Sequence, residues 1–230
     1  METQVSYILQ RKHVKNINLR IRPDGTIYIS APPSVPISSI EHYIESKKEF
    51  ITKAVARFKE KRKWEVSSKN YVSGESFYLL GKQLRLVVQE ATKNTIYSDG
   101  VYIHLVCRYP DNHAIKQKLV TEFFKKQCIE TFSRLINKLY PLFKKYDIPY
   151  PTLRIRNMIS RWGSCIPAKG QITLNISLIH FPERCIEYII IHEFCHFRYP
   201  NHSKSFYSFL TVLMPDWKEQ KTELENTILI

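Results

Sequence analysis

The chain has 230 residues, 43% of them hydrophobic, and a formal net charge of +14. That length and apolar content suit one large globular domain or a catalytic domain with a smaller companion, and exclude a disordered chain. No run of about eighteen apolar residues exists and the N-terminus lacks a signal-peptide core, so a soluble, cytoplasmic protein with no membrane partner is expected.

The charge is unevenly placed. Residues 1–63 carry 13 Lys+Arg against 6 acids, residues 64–150 carry 13 against 8, and residues 151–230 carry 9 against 7. A basic N-terminal half favours DNA or another polyanion as partner, or is a solvated face. The five cysteines (107, 128, 165, 185, 195) are odd in number and match no zinc-ribbon spacing, which reads as free thiols in a reducing compartment.

In chain order, Val5–Gln10, Asn18–Ile21 and Thr26–Ser30 read as short strands, with a turn at Pro23-Asp24-Gly25. The spacing of Ile40, Ile44, Phe50, Ile51, Val55 and Phe58 predicts a helix from Ile37 to about Trp64, ending in the basic run Lys59–Lys63. Phe77–Leu80, Leu84–Gln89, Thr95–Tyr97 and Val101–Val106 read as further strands, with turns at Gly81 and Asp99-Gly100. Asn112 to about Tyr146 is a long helical stretch interrupted by Pro141. Ile115, Leu119, Phe123, Ile129, Phe132, Ile136 and Leu139 form its apolar stripe.

A hairpin is then expected, with Arg154–Cys165 paired to Gln171–Ile179 across Pro167-Ala168-Lys169-Gly170. Two readings stand for the second strand: a free edge that pairs with an extended peptide, or a wholly paired interior strand. Trp162 and Gly163 fit a strand whose backbone approaches a neighbour closely. Ser203 is placed to cap a following helix, and Pro215-Asp216 to start the last one.

The chemistry lies in Ile186–His202, which contains His192-Glu193-Phe194-Cys195-His196. On a helix, positions i and i+4 lie about 40° apart, so both imidazoles project from one face. Glu193 is about 100° round, within reach of a metal-activated water but poorly placed as a third ligand. Neutral nitrogen ligands, an open coordination position and a carboxylate to take a proton are what zinc hydrolysis needs. Pro182 and Glu183 start this helix and Pro200 stops it, leaving His202 just past the end as the third ligand. Glu219, Glu223 and Glu225 are the alternatives on a later helix, and Tyr199 stands mid-gap where a metzincin has glycine. Cys195 and Met214 read as core residues.

Arg161-Trp162-Gly163-Ser164-Cys165, Leu174-Asn175, the H-E-F-C-H run and Asn201-His202-Ser203 closely resemble the YgjP-like metallopeptidase family, itself similar to SprT-like and WLM proteases. The likeness extends to Leu19–Gly25 with Ala31-Pro32, and to Tyr78–Lys82, so it spans most of the chain. Ile166 departs from the small polar residue expected after Ser-Cys. The resemblance implies zinc held by His192, His196 and His202, with Glu193 as general base.

The expected fold is α+β: a strand-rich N-terminal region with one helix (1–110), then a zincin-like domain (111–230) with a long backing helix, a β-hairpin and the H-E-x-x-H helix. The expected function is a zinc metallopeptidase acting on protein or peptide. The alternatives are a basic, nucleic-acid-associated protein with a structural zinc, or a zinc hydrolase of other substrates. Asn175, Arg161 and Tyr207 are candidate substrate contacts. Tyr207 and Tyr199 are phenols that could steady an oxyanion or simply pack. His180 is expected at the surface, and His13, His42, His104 and His113 have no ligand spacing.

Overall fold

The structure is a computed structural model and describes residues 6–22, 25–52, 54–56, 69–158 and 161–226. The chain divides into two compact units, residues 1–68 and 69–230.

In the first unit, β1 (Ile8–Arg11), β2 (Asn18–Ile21) and β3 (Ile27–Ala31) form a sheet in the order β1-β3-β2. Alternation in β3 turns Ile27, Ile29 and Ala31 inward, against Ile40 and Ile44 of α1 (Ile37–Ser46). Arg11 Nη1 donates to Pro32 O at 2.8 Å and Val35 O at 2.7 Å, tying down the β3–α1 connection. Helical backbone recurs at 48–52 and 54–56, so the expected helix is broken after Ser46. The expected turn residues Pro23 and Asp24, and the basic run Lys59–Lys63, lie outside the described residues.

The second unit begins with β4 (Ser76–Leu79), β5 (Lys82–Glu90), β6 (Thr95–Ser98) and β7 (Tyr102–Cys107), ordered β4-β5-β7-β6. One face packs on α2 (His113–Leu139), whose N-cap Asn112 accepts from the Ile115 N–H. This places the expected 110/111 boundary inside the second unit, because these strands share a core with α2. Pro141, which cannot continue α2, starts the short α3 (Pro141–Lys144). The buried side of α2 carries Phe123, Phe132, Ile136 and Leu139 as expected, whereas Ile129 is exposed.

The expected hairpin is present across residues 167–170 but is corrected in extent. β8 (Thr152–Arg156) runs parallel to β10 (Gln171–Asn175), and β9 (Gly163–Ile166) runs antiparallel to its other side. β10 is therefore an interior strand paired on both edges, and β9 holds the sheet's edge.

Residues 176–180 form a 3-10 turn leading into α4 (Glu183–Cys195). The hairpin turn after β4 braces this approach: Leu80 N–H donates to Ile179 O at 2.8 Å and Gly81 N–H to His180 O at 3.2 Å. Gly81 sits at φ +79, and a Cβ there would lie 2.8 Å from Pro182 Cγ. His180 is not a free surface residue, since its Nδ1 is 2.7 Å from Tyr78 O and its ring meets Phe124 edge-on. The chain ends in α5 (Lys204–Leu213) and α6 (Trp217–Asn226).

Candidate metal centre

Two stripes of α4 explain its place. Ile186, Ile190 and Phe194, one turn apart, are fully buried, and each contributes about 1.5–3 kcal/mol of hydrophobic burial. Phe194 stacks on Phe143 with centroids 4.3 Å apart, which locks the end of α4 onto α3. The second stripe, Tyr188, His192 and His196, faces a cleft of about 740 Å³.

The helix stops earlier than expected. His196 is its C-cap, and Phe197, Arg198 and Tyr199 N–H groups bond back to Phe194 O and Cys195 O. That tight turn, made without glycine, brings the chain to His202, where Ser203 Oγ accepts from Phe206 N–H and opens α5.

Candidate ligand atoms of His192, His196 and His202 all lie within 4.8 Å of one another, and among the described residues these three form the metal-competent group. His202 Nε2 is 3.0 Å from His192 Nε2. His196 Nδ1 faces Tyr199 O at 3.1 Å; a carbonyl only accepts, so Nδ1 carries the proton and Nε2 keeps its lone pair. Burial, reinforced by the other two histidines, pushes His192 down to about 3, so its imidazole is neutral as a ligand must be. Phe206 lies under all three rings, at 4.9, 4.8 and 4.9 Å from His192, His196 and His202. No sequence motif marked Phe206.

Glu193 is 5% exposed and packs against Gly163 of β9. Burial raises its carboxyl to about 8, with Arg161 acting in the opposite direction. Its Oε2 and the Nδ1 of His192 are buried without hydrogen-bond partners. Buried polar atoms left so are rare, and the Glu193 oxygen, beside the histidine cluster, is the one that a group completing the site would partner. The residues present fit a metal: three convergent imidazoles with a buried carboxyl beside them.

The family model for the YgjP-like metallopeptidase domain matches residues 15–227. The chain belongs to the YgjP-like metallopeptidase family. Among solved structures, the metallopeptidase zymogen jannalysin of Methanocaldococcus jannaschii is similar at 21% identity and a TM-score of 0.35, over 40% of this chain and 92% of that one. No curated protein matches the chain.

In this YgjP-like metallopeptidase the other expected residues divide. Arg161 and Tyr207 line the cleft. Asn175 does not: it is 1% exposed, its Nδ2 donates to Met158 O at 2.6 Å and Arg161 O at 3.0 Å, and its Oδ1 accepts from Ser177 N–H at 3.1 Å. Asn175 thus ties Met158 and Arg161 to the end of β10. Tyr199 packs on Phe209, and Glu225 reaches the cleft wall without joining the histidine cluster. No helix among the described residues is long and apolar enough to cross a membrane.

Proposed function

We propose that the chain is a zinc-dependent endopeptidase of zincin-like design, with His192, His196 and His202 holding the metal and Glu193 as general base. The convergence of three imidazoles beside a buried, unpartnered carboxylate carries this reading. An all-imidazole donor set suits zinc and leaves one position of a tetrahedron open. Zinc, when bound, supplies Lewis acidity, lowering the pKa of a water to about 7 and polarising a carbonyl. A cation held by the histidines would favour the ionised form of the buried Glu193 carboxyl, which could then accept a proton at Oε2, the oxygen with no partner, and deliver it to the leaving amine.

The edge strand β9 supplies the track for substrate. Asn175 N–H donates to Trp162 O at 2.8 Å, so by the antiparallel alternation Ser164 and Ile166 bond to β10. Gly163 and Cys165 then direct their N–H and C=O groups outward, where an extended peptide adds as a further strand. Arg161 contacts the bound peptide, and the Tyr207 phenol is the candidate donor to the oxyanion.

The test is zinc content and peptide hydrolysis of wild type and Glu193→Gln. Equal zinc with turnover lost in the variant is expected. A wild type that holds zinc and cleaves no peptide overturns the reading in favour of a structural site or a non-peptide hydrolase.

We propose DNA or another polyanion as a second partner, from the charge of +14 and the exposed Lys12, Lys15 and Arg20 of the first unit. Replacing these three by Gln should flatten the salt dependence of DNA affinity, by roughly 0.9 log units for each phosphate no longer neutralised. Five free cysteines support a cytoplasmic, reducing compartment.

A further inference from the structure

A column of aromatic rings runs from the histidines to α6. Tyr207 stacks on His202 with centroids 6.1 Å apart, Trp217 on Tyr207 at 5.4 Å, and Tyr188 on Trp217 at 6.3 Å, with interplanar angles of 28°, 20° and 16°. Tyr188 then meets His192 edge-on at 5.9 Å, so the column begins and ends at candidate metal ligands. All three rings line the cleft. Trp217 is fixed, since its Nε1 donates to Thr211 Oγ1 at 2.9 Å, which leaves the indole with no free polar atom.

We infer that this column is the pocket that selects the substrate residue beside the scissile bond, and that it takes an aromatic side chain; the inference rests on the peptidase reading above. Stacking occupies ring faces, so the column offers ring edges to the cleft. Ring edges carry partial positive charge and receive the face of another aromatic ring, whereas Lys218 Nζ, already 5.8 Å from the Trp217 centroid, opposes a second cation there. At the rim, Lys221 and Glu225 stand one turn apart on α6 with opposite charges, so their net charge favours neither sign. Apolar, edge-presenting surface therefore decides the selection. A side chain seated against Tyr207 and Tyr188 is within one ring of His202 and His192, which places it next to the bond being cut.

The experiment uses the full zinc-loaded chain on a proteome-derived peptide library. Wild type should enrich Phe, Tyr or Trp at one position flanking the cut. On matched peptides, Phe at that position should raise kcat/KM over Ala by about tenfold, the scale of partly burying one aromatic ring. Trp217→Leu and Tyr207→Ala should each bring that ratio to within about twofold of unity. Trp217 is buried, so if its variant does not fold, the more exposed Tyr207 decides the matter: loss of its phenol slows both peptides alike and cancels in the ratio, and Tyr207→Phe, which keeps the ring, should keep the wild-type ratio. Enrichment of acidic, basic or small residues, or a ratio unchanged in Tyr207→Ala, overturns the pocket while leaving the peptidase intact. Absence of any cleavage by wild type overturns the peptidase reading, and the pocket falls with it.

Discussion

A Cβ built on Gly163 would stand 2.6 Å from Glu193 Oε1, 2.8 Å from its Cγ and 2.9 Å from its Cδ. The edge strand and the proposed base are thus packed as closely as backbone permits. Gly163→Ala should displace Glu193 or push β9 outward. Overpacking of this kind costs about 1–3 kcal/mol, and a misplacement near 1 Å lowers kcat by about a hundredfold. Zinc content should stay at the wild-type value, because the atoms nearest a Cβ at residue 163 belong to Glu193 and not to the histidines. Thermal melting, metal analysis and peptide turnover check the three outcomes; full activity in Gly163→Ala would show that Glu193 tolerates displacement.

His202→Ala should lose zinc, whereas Glu219→Ala, Glu223→Ala and Glu225→Ala should retain it. The reason is convergence: His202 joins the cluster within 4.8 Å, and no glutamate does among the described residues. Zinc per chain after gel filtration in dilute chelator reads this directly. Metal binding also stabilises the folded state, by about 2.7 kcal/mol at a hundredfold excess over Kd. The glutamate variants should therefore keep the zinc-induced rise in Tm that His202→Ala loses. A glutamate variant that loses the metal would reassign the third ligand.

The pair His192 and His196 was legible because helical periodicity is local: four residues suffice to put two rings on one face. His202 followed from its nearness to the helix end. Gly163 against Glu193, and Trp217 between Tyr207 and Tyr188, join residues far apart in sequence, and no local period reports such contacts. Asn175 misled for a related reason. A polar residue alternating with Ile172 and Leu174 looks solvent-facing, yet all of β10 after Gln171 is buried, and Asn175 spends its amide on the carbonyls of Met158 and Arg161. β8 ends at Arg156 and β9 begins at Gly163, where the sequence showed one continuous strand. The boundary at 68/69 was hidden because strand alternation does not say which helix a sheet packs on.

Two ion pairs at the surface of the second unit set an expected acid dependence. Arg134 donates two hydrogen bonds to Glu183, and Arg184 donates to Asp216 at 2.7 and 3.2 Å. These bonds hold both carboxyls below their ordinary values of 4.5 and 3.8. A carboxyl lowered on folding contributes stability that is complete above its unfolded pKa and is lost as pH falls through the folded one. A Glu183→Gln/Asp216→Asn double variant should be less stable than wild type by about 1 kcal/mol at pH 7, since both pairs are partly solvated. The gap should shrink below pH 4.5 and close at lower pH. Urea unfolding of both proteins with the metal removed, at three pH values, measures it. Titration of the histidines affects both proteins alike and cancels in the difference. A gap independent of pH would assign the loss to packing.

Cys128 and Cys185 should resist alkylation in the folded chain. Both are fully buried, and burial pushes each thiol up to about 12. At pH 8 only about one thiol in ten thousand is then ionised, against roughly a quarter for a free cysteine, and only the thiolate attacks. Access compounds the effect, because Cys128 Sγ sits 3.4 Å from Ile176 O in the core between α2 and the 3-10 turn. Iodoacetamide at pH 8, followed by peptide mapping, should leave both unmodified over an hour in native buffer. Both should be fully carbamidomethylated in guanidinium. Rapid labelling of Cys128 in the native chain would mean that α2 separates from residues 176–180 on that timescale, and α4 could not then be held rigidly enough to keep its three histidines together.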